Sequence, residues 1–335
     1  MKLFHALSIV TALSSVGPAF ARDEPIVIKF SHVVAETTPK GQAIAFFKKR
    51  AEELTSGRVN VQIYANSQLY KDKEEIEALQ LGAVDMIAPT LSKFGPLGIR
   101  DFEVFDLPYI FDDFDKVHKV TRGPVGRMLL GKLQRKGITG LAFWDAGFKP
   151  FYANRPIRTP EDMQGLKMRI ASSKVIDAQM RALDTLPQTM ALSEVYTALQ
   201  TGVVDGTENV ATNFYTQKMY EVQKYMTLTN HGYVGYAVVA NKNFWEHLPA
   251  DIRARLEQAM DEATTVANDE ALKEQGLIVQ AIKDTGKTEI IDLSPAQRAA
   301  FKAKLLPVHR AMASRIGAET MDAVYVATDF SQAKF

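Results

Sequence analysis

An eight-residue unit occurs twice in this 335-residue chain and constrains its fold more than any other feature. ALQLGAVD (Ala78–Asp85) and ALQTGVVD (Ala198–Asp205) agree at six of eight positions, 120 residues apart. Each copy closes the same succession of patterns. In the first, Ile26 to Ser31 reads as a strand, and Thr38-Pro39 opens a helix with Ile44, Phe47, Ala51 and Leu54 on one face. Val59, Val61, Ile63 and Ala65 then alternate as a second strand; a charged helix over 71–81 stops at Gly82, and a third strand covers 84–88. In the second, a strand at 166–170 precedes a helix at 173–183, a short segment at 187–191, a helix at 194–201 and a strand at 203–207. A repeated β-α-β-α-β order implies two similar lobes, each a parallel sheet with helices on its faces.

Between and after these units the patterns change. Phe102 to Phe111 (FEVFDLPYIF) is apolar enough to be buried, a helix is expected near 113–135, and Ile138 to Trp144 reads as a strand. The chain is expected to cross between lobes near 145–149 and to return through Tyr233 to Asn241. From Pro249 to about Asp284 runs a proline-free amphipathic pattern, about 50 Å long as a helix, able to lie across both lobes. Ser294-Pro295 caps a further helix, and the C-terminal tail reads as loosely packed. The expected division is 22–146 with 235–274 as lobe I, and 147–234 with 275–335 as lobe II.

Residues 1–21 are set apart as a signal peptide: Lys2, an apolar run to Val16 and Ala19-Phe20-Ala21 predict cleavage after Ala21 and a periplasmic product. Lys2 is the only lysine or arginine in that leader, so 40 basic against 39 acidic residues becomes 39 against 39. A neutral protein is a poor partner for nucleic acid or an anionic membrane surface. The absence of cysteine excludes disulfides, thiol catalysis and thiolate metal sites.

The six histidines show no short metal-ligand spacing, and no GxSxG, Walker A or GxGxxG motif opens a helix after a strand. No enzyme activity, metal or cofactor is therefore expected, which leaves binding. In two-lobed parallel α/β proteins the ligand sits at the carboxyl ends of the strands. Just past those ends stand His32, Thr90 to Lys93, Lys149 at the crossing, Arg169 with Ser172, and Asn209. Arg169, beside a fresh helix N-terminus, offers a planar fork that fits a carboxylate. With Lys93 and Lys149 it predicts a locally cationic cleft for a small anion bearing two acidic groups.

These residues lie within longer stretches that carry a resemblance: FSHVVAETTPKG from Phe30, NSQLYKDKEEIEALQLGAVDM from Asn66, FDLPYIF from Phe105, LAFWDAGFK from Leu141, GLKMRI from Gly165, SEVYTALQTGVVDGTEN from Ser193 and NHGYVGYAVV from Asn230. Over almost the whole chain after the leader, the sequence resembles the extracytoplasmic solute-binding proteins of tripartite ATP-independent periplasmic (TRAP) transporters, of the DctP type. The resemblance implies two α/β lobes joined by crossing strands, with a long helix spanning both. It implies capture of a four-carbon dicarboxylate such as succinate, malate or fumarate, delivered by a monomer to membrane permease subunits. It places the carboxylate clamp on Arg169, with Asn209 and the lobe-crossing Lys149 beside it. It adds Thr90, Lys93, Ser172, His231 and Tyr236 as cleft-lining positions. One departure is Val210, where related dicarboxylate binders often carry proline. The alternatives are another carboxylate in the same family (an α-keto acid or sugar acid) or a ligand-loaded co-sensor for a signalling kinase.

Overall fold

The structure is a computed structural model and describes residues 24–331. The signal-peptide assignment and its cleavage site lie outside the described residues. The first unit comprises β1 (Ile26–Ser31), α1 (Pro39–Leu54), β2 (Val59–Tyr64), α2 (Glu75–Gln80) and β3 (Met86–Ile87). After α3 (Phe114–Thr121), α4 (Pro124–Leu133), β4 (Ile138–Phe148) and β5 (Phe151–Ala153) comes the second unit. It comprises β6 (Lys167–Ile170), α5 (Lys174–Ala182), β7 (Leu186–Thr189), α6 (Val195–Gln200) and β8 (Gly206–Glu208). The chain closes with α7 (Ala211–Thr216), β9 (Tyr225–Thr227), β10 (Tyr233–Asn241), α8 (Lys242–His247), α9 (Ala250–Asp284), β11 (Glu289–Ile291), α10 (Pro295–Leu305), α11 (Pro307–Ile316) and α12 (Ala318–Thr328).

The two sheets are built alike. One has the order β2-β1-β3-β10-β4 and the other, read from the matching end, β7-β6-β8-β5-β9-β11. In each, the unit's three strands are parallel, and a strand from elsewhere in the chain joins antiparallel beside the third: β10 on β3, β5 on β8. The chain passes between sheets at 148–151, again at 227–233, and a third time along α8 and α9 from β10 to β11.

The duplicated octapeptide does the same structural work in both places. Gly82 and Gly202 each adopt φ of +73°, the left-handed turn that ends α2 and α6. Asp85 Oδ2 then accepts from Lys29 N at 2.7 Å, and Asp205 Oδ2 accepts from Lys167 N at 2.8 Å. Each aspartate thus ties the third strand to the first, at Lys29 within β1 and at Lys167 where β6 begins. Because its side chain takes that N–H, the ladder begins one residue later, and the strands are shorter than the expected 84–88 and 203–207.

α9 runs 35 residues, packed on α1 and β4 and, further along, on α7 of the second half. Trp144 Nε1 donates to Thr264 Oγ1 at 2.9 Å, and Asp145 N donates to Asn268 Oδ1 at 2.9 Å, pinning the end of β4 to this helix. Two expectations are corrected. The single helix near 113–135 is two, because Pro124 has no N–H to continue it past Gly123. The C-terminal segment is well packed: Val324 and Thr328 are fully buried. α11 and α12 rest against α3, α4 and the 3-10 segment 100–106, with Arg315 paired to Glu103 at 2.5 Å. Residues 307–328 thus touch elements of both halves, since α10 and α11 also contact α5.

The turn glycines give a direct test. Around Gly202 nothing lies within 4 Å of an added Cβ, so Gly202→Ala pays only backbone strain, about 1–2 kcal/mol. Gly131, exposed in α4 with equal room and no positive φ, should gain about 0.5–1 kcal/mol on substitution by alanine. Urea denaturation should move the two midpoints in opposite directions.

Candidate functional site

The carboxyl ends of β1, β3, β6 and β8 converge on a cavity of about 670 Å³, its mouth included. Thr90, Lys93, Lys149, Arg169, Asn209 and Tyr236 all line it. Ser172, His32 and His231 do not. Ser172 is half-buried beside the cavity, and its neighbour Ser173 caps α5, accepting from Ile176 N at 3.2 Å. His32 is wholly buried past the end of β1. His231 stacks on Phe151, ring centroids 3.9 Å apart, behind Lys149. Apolar walls come from Val33, Val34, Phe105, Ile176 and Leu192.

Arg169 sits in β6 with its guanidinium buried, and burial depresses its pKa. Nε and Nη2 donate to Met190 O at 3.0 and 2.7 Å, which fixes the plane of the fork. Nη1 has no hydrogen-bond partner among the described residues. Asn209 is oriented by its own Oδ1, which accepts from Val210 N at 2.9 Å and from Asn213 Nδ2 at 3.1 Å. Its Nδ2 is left as a donor. The valine in place of proline thus has a purpose: proline has no N–H to hold the asparagine.

The expected cationic cleft is corrected. Lys93 is paired with Asp72 at 2.7 Å, and Lys149 is paired with Glu208. Lys93 and Lys149, 7% and 1% exposed, require such partners, since an unpaired buried charge is costly. Two further carboxyls, Glu75 and Asp106, also line the cavity. Burial raises Glu75 to about 7 against the pull of Lys40 and Lys93. Burial likewise raises Asp106 to about 7, opposed by Lys149 and by the hydrogen bond from Ser173 Oγ at 2.7 Å. Lys40 lies behind the wall, donating to Ala88 O at 2.9 Å with its Nζ 3.8 Å from the centre of the Tyr236 ring. Burial lowers it to about 8.

Sequence reasoning missed these five groups, although three carried a signal. Lys40, Ala43, Ile44 and Phe47 recur at helical spacing and are all buried, as are Asp72, Glu75 and Leu79. A charge on an apolar stripe is a buried charge. Among the described residues no group of His, Cys, Asp and Glu could hold a metal ion.

Residues 30–316 match the family model "Bacterial extracellular solute-binding protein, family 7" (DctP), and the chain belongs to that family. It is 61% identical over 327 residues, 98% of each chain, to the C4-dicarboxylate-binding periplasmic protein DctP of Rhodobacter capsulatus. Its fold matches a TRAP periplasmic solute-binding protein of Sulfurospirillum deleyianum with bound succinate (TM-score 0.88, 43% identity, 91% of this chain and 100% of that one). It also matches one of Pseudomonas aeruginosa with bound L-malate (TM-score 0.84, 39% identity, 86% and 100%).

Asp106 gives a pH test. In the unfolded chain its carboxyl titrates near 3.8, so between there and about 7 the folded protein holds a proton that the unfolded chain has released. Its contribution to stability is therefore greatest at low pH and is lost as pH rises through about 7. Buried His32, His231 and His309, all depressed by burial, pull the whole-protein curve the other way as pH falls below about 6.5. The difference between Asp106→Asn and the parent removes that background. The stability of the variant relative to the parent should rise by on the order of 2 kcal/mol between pH 5 and pH 8, read from urea midpoints.

Proposed function

We propose that this protein is a periplasmic solute-binding protein that captures a C4-dicarboxylate such as succinate, malate or fumarate. It then delivers its ligand, as a monomer, to the membrane permease subunits of a TRAP transporter. The observation that carries this reading is the state of Arg169. Of the cations lining the cavity, it alone forms no ion pair among the described residues, and it lines the same cavity as Asn209. One ligand carboxylate is assigned to Arg169 and Asn209. The other is assigned to the side bearing Lys93, Ser92 and Thr90, where Thr90 and Ser92 hydroxyls lie 3.0 Å apart.

The two ends come from different sheets, so a short diacid can bridge them, and closure swings one sheet and its helices toward the other about the crossings at 148–151 and 227–233. Phe105, Leu192 and Ile176 limit the width available to a bulkier sugar acid. The relatives' names and bound ligands support the same class. Export and cleavage after Ala21 belong to this proposal too.

Thermal shift tests the ligand class. Succinate, malate or fumarate at about 100 times its dissociation constant should stabilise the fold by about 2.7 kcal/mol. Pyruvate and sialic acid at equal concentration should do little; a larger shift with either contradicts the dicarboxylate assignment. Arg169→Lys keeps the charge and loses the fork, while Arg169→Ala loses both. The alanine variant should weaken succinate binding by about 2–5 kcal/mol, roughly 30- to several-thousand-fold in calorimetry. The lysine variant should recover only a small part of that, and parental affinity in either variant contradicts the assignment.

A further inference from the structure

Seven buried acidic and basic side chains line the cleft, Lys93, Lys149 and Arg169 against Asp72, Glu75, Asp106 and Glu208, and Lys40 lies just behind its wall as the fourth cation. With all of them ionised the set is neutral. A dianion enclosed there would leave two uncompensated negative charges in a site shielded from water, and desolvated charge of that kind is strongly disfavoured. We infer that binding of a dianionic diacid takes up about two protons, carried by Glu75 and Asp106, so that the proton is a co-ligand of the cleft. This rests on the dicarboxylate reading of the same site.

The choice of these two carboxyls follows from their contacts. Asp72 and Glu208 are held by Lys93 and Lys149. Glu75 is 1% exposed, and neither of its oxygens has a hydrogen-bond partner among the described residues. The charged and titratable groups that act on it are Lys40 from α1, Asp72 from the preceding loop, Lys93 from the segment after β3 and Tyr236 from β10. His32, at the end of β1, stands within the field of Lys40. None of them forms an ion pair or hydrogen bond with Glu75. Asp106 forms no ion pair among the described residues either, and Ser173 Oγ donates to its carboxylate. Around it act Lys149 from the crossing, Glu103 on its own segment and Glu208 from β8.

With both carboxyls protonated, the set carries a net charge of +2, which the dianion cancels. The positions of both titrations near neutrality place this uptake in an accessible range. By reciprocity, the ligand holds the protons as tightly as the protons favour the ligand.

Isothermal calorimetry with succinate decides the matter, using buffers of low and high ionisation enthalpy, phosphate and Tris, at pH 8 and again at pH 6. At pH 8 the dependence of observed heat on buffer should report uptake of about one to two protons, shrinking at pH 6. Affinity should weaken by up to about tenfold per pH unit for each proton taken up. Glu75→Gln and Asp106→Asn should each remove up to one proton of uptake. The parent measurement stands even if a variant fails to fold. Succinate binding at pH 8 without proton uptake overturns the inference alone. Undiminished uptake in both folded variants also overturns it, placing the protons elsewhere, such as His231 near Glu208. No heat with succinate, malate or fumarate at either pH overturns the dicarboxylate reading and this inference together.

Discussion

A buried guanidinium without an ion pair among the described residues is the constraint on which this molecule turns. Arg169 is 3% exposed, its hydrogen bonds go to the Met190 carbonyl, and Asp72, Glu208 and Glu194 act on it from beyond ion-pair distance. The surrounding cations are arranged so that they do not compete for an anion on equal terms. Lys93 and Lys149 already have their acids, and Lys40 rests on a carbonyl and an aromatic face. A carboxylate entering the cleft therefore finds one strong unfilled partner, preset in plane by two hydrogen bonds. Preorganisation of this kind lowers the ordering cost of binding.

The duplication explains how that site is held. Each unit delivers a strand end to the cleft, and each uses the same aspartate-to-backbone tie and the same glycine turn to fix where its third strand begins. The residue after β8 is Asn209, and three residues after β3 comes Thr90. Trp144 and Asp145 fasten β4 of the first sheet to α9 through Thr264 and Asn268, and α9 in turn packs on α7 of the second half. Asp145 is also bound by Tyr233 Oη at 2.6 Å and by His118 Nε2 at 2.6 Å, so the crossing is anchored from both sides of the return strand. Lobe movement must flex around this anchored point.

Much of this was legible in the sequence, for identifiable reasons. Periodicity gave the strands and helices of both units, and the repeat gave their correspondence. Strand ends gave Arg169, Asn209, Thr90 and Lys93, because in parallel sheets the geometry of the ends follows from the order of elements. The bridging position of α11 and α12 was not legible, since amphipathic stripes do not name their partners. The pairing of Lys149 with Glu208 and of Lys93 with Asp72 was hidden for the same reason: contacts through space leave no local period. Glu75 and Lys40 differ, because their placement on apolar helical stripes marked them as buried. Counting cations alone made the cleft look positive, whereas counting both signs makes it balanced.

The central claim, that a diacid spans the cleft from Arg169 to the facing lobe, is tested most directly by a crystal structure of the protein with succinate. The account predicts one carboxylate within hydrogen-bond distance of Arg169 Nη1 and Asn209 Nδ2, with the other on Lys93, Ser92 or Thr90. Succinate bound with neither carboxylate on Arg169, or lying outside the cleft between the two sheets, would contradict it.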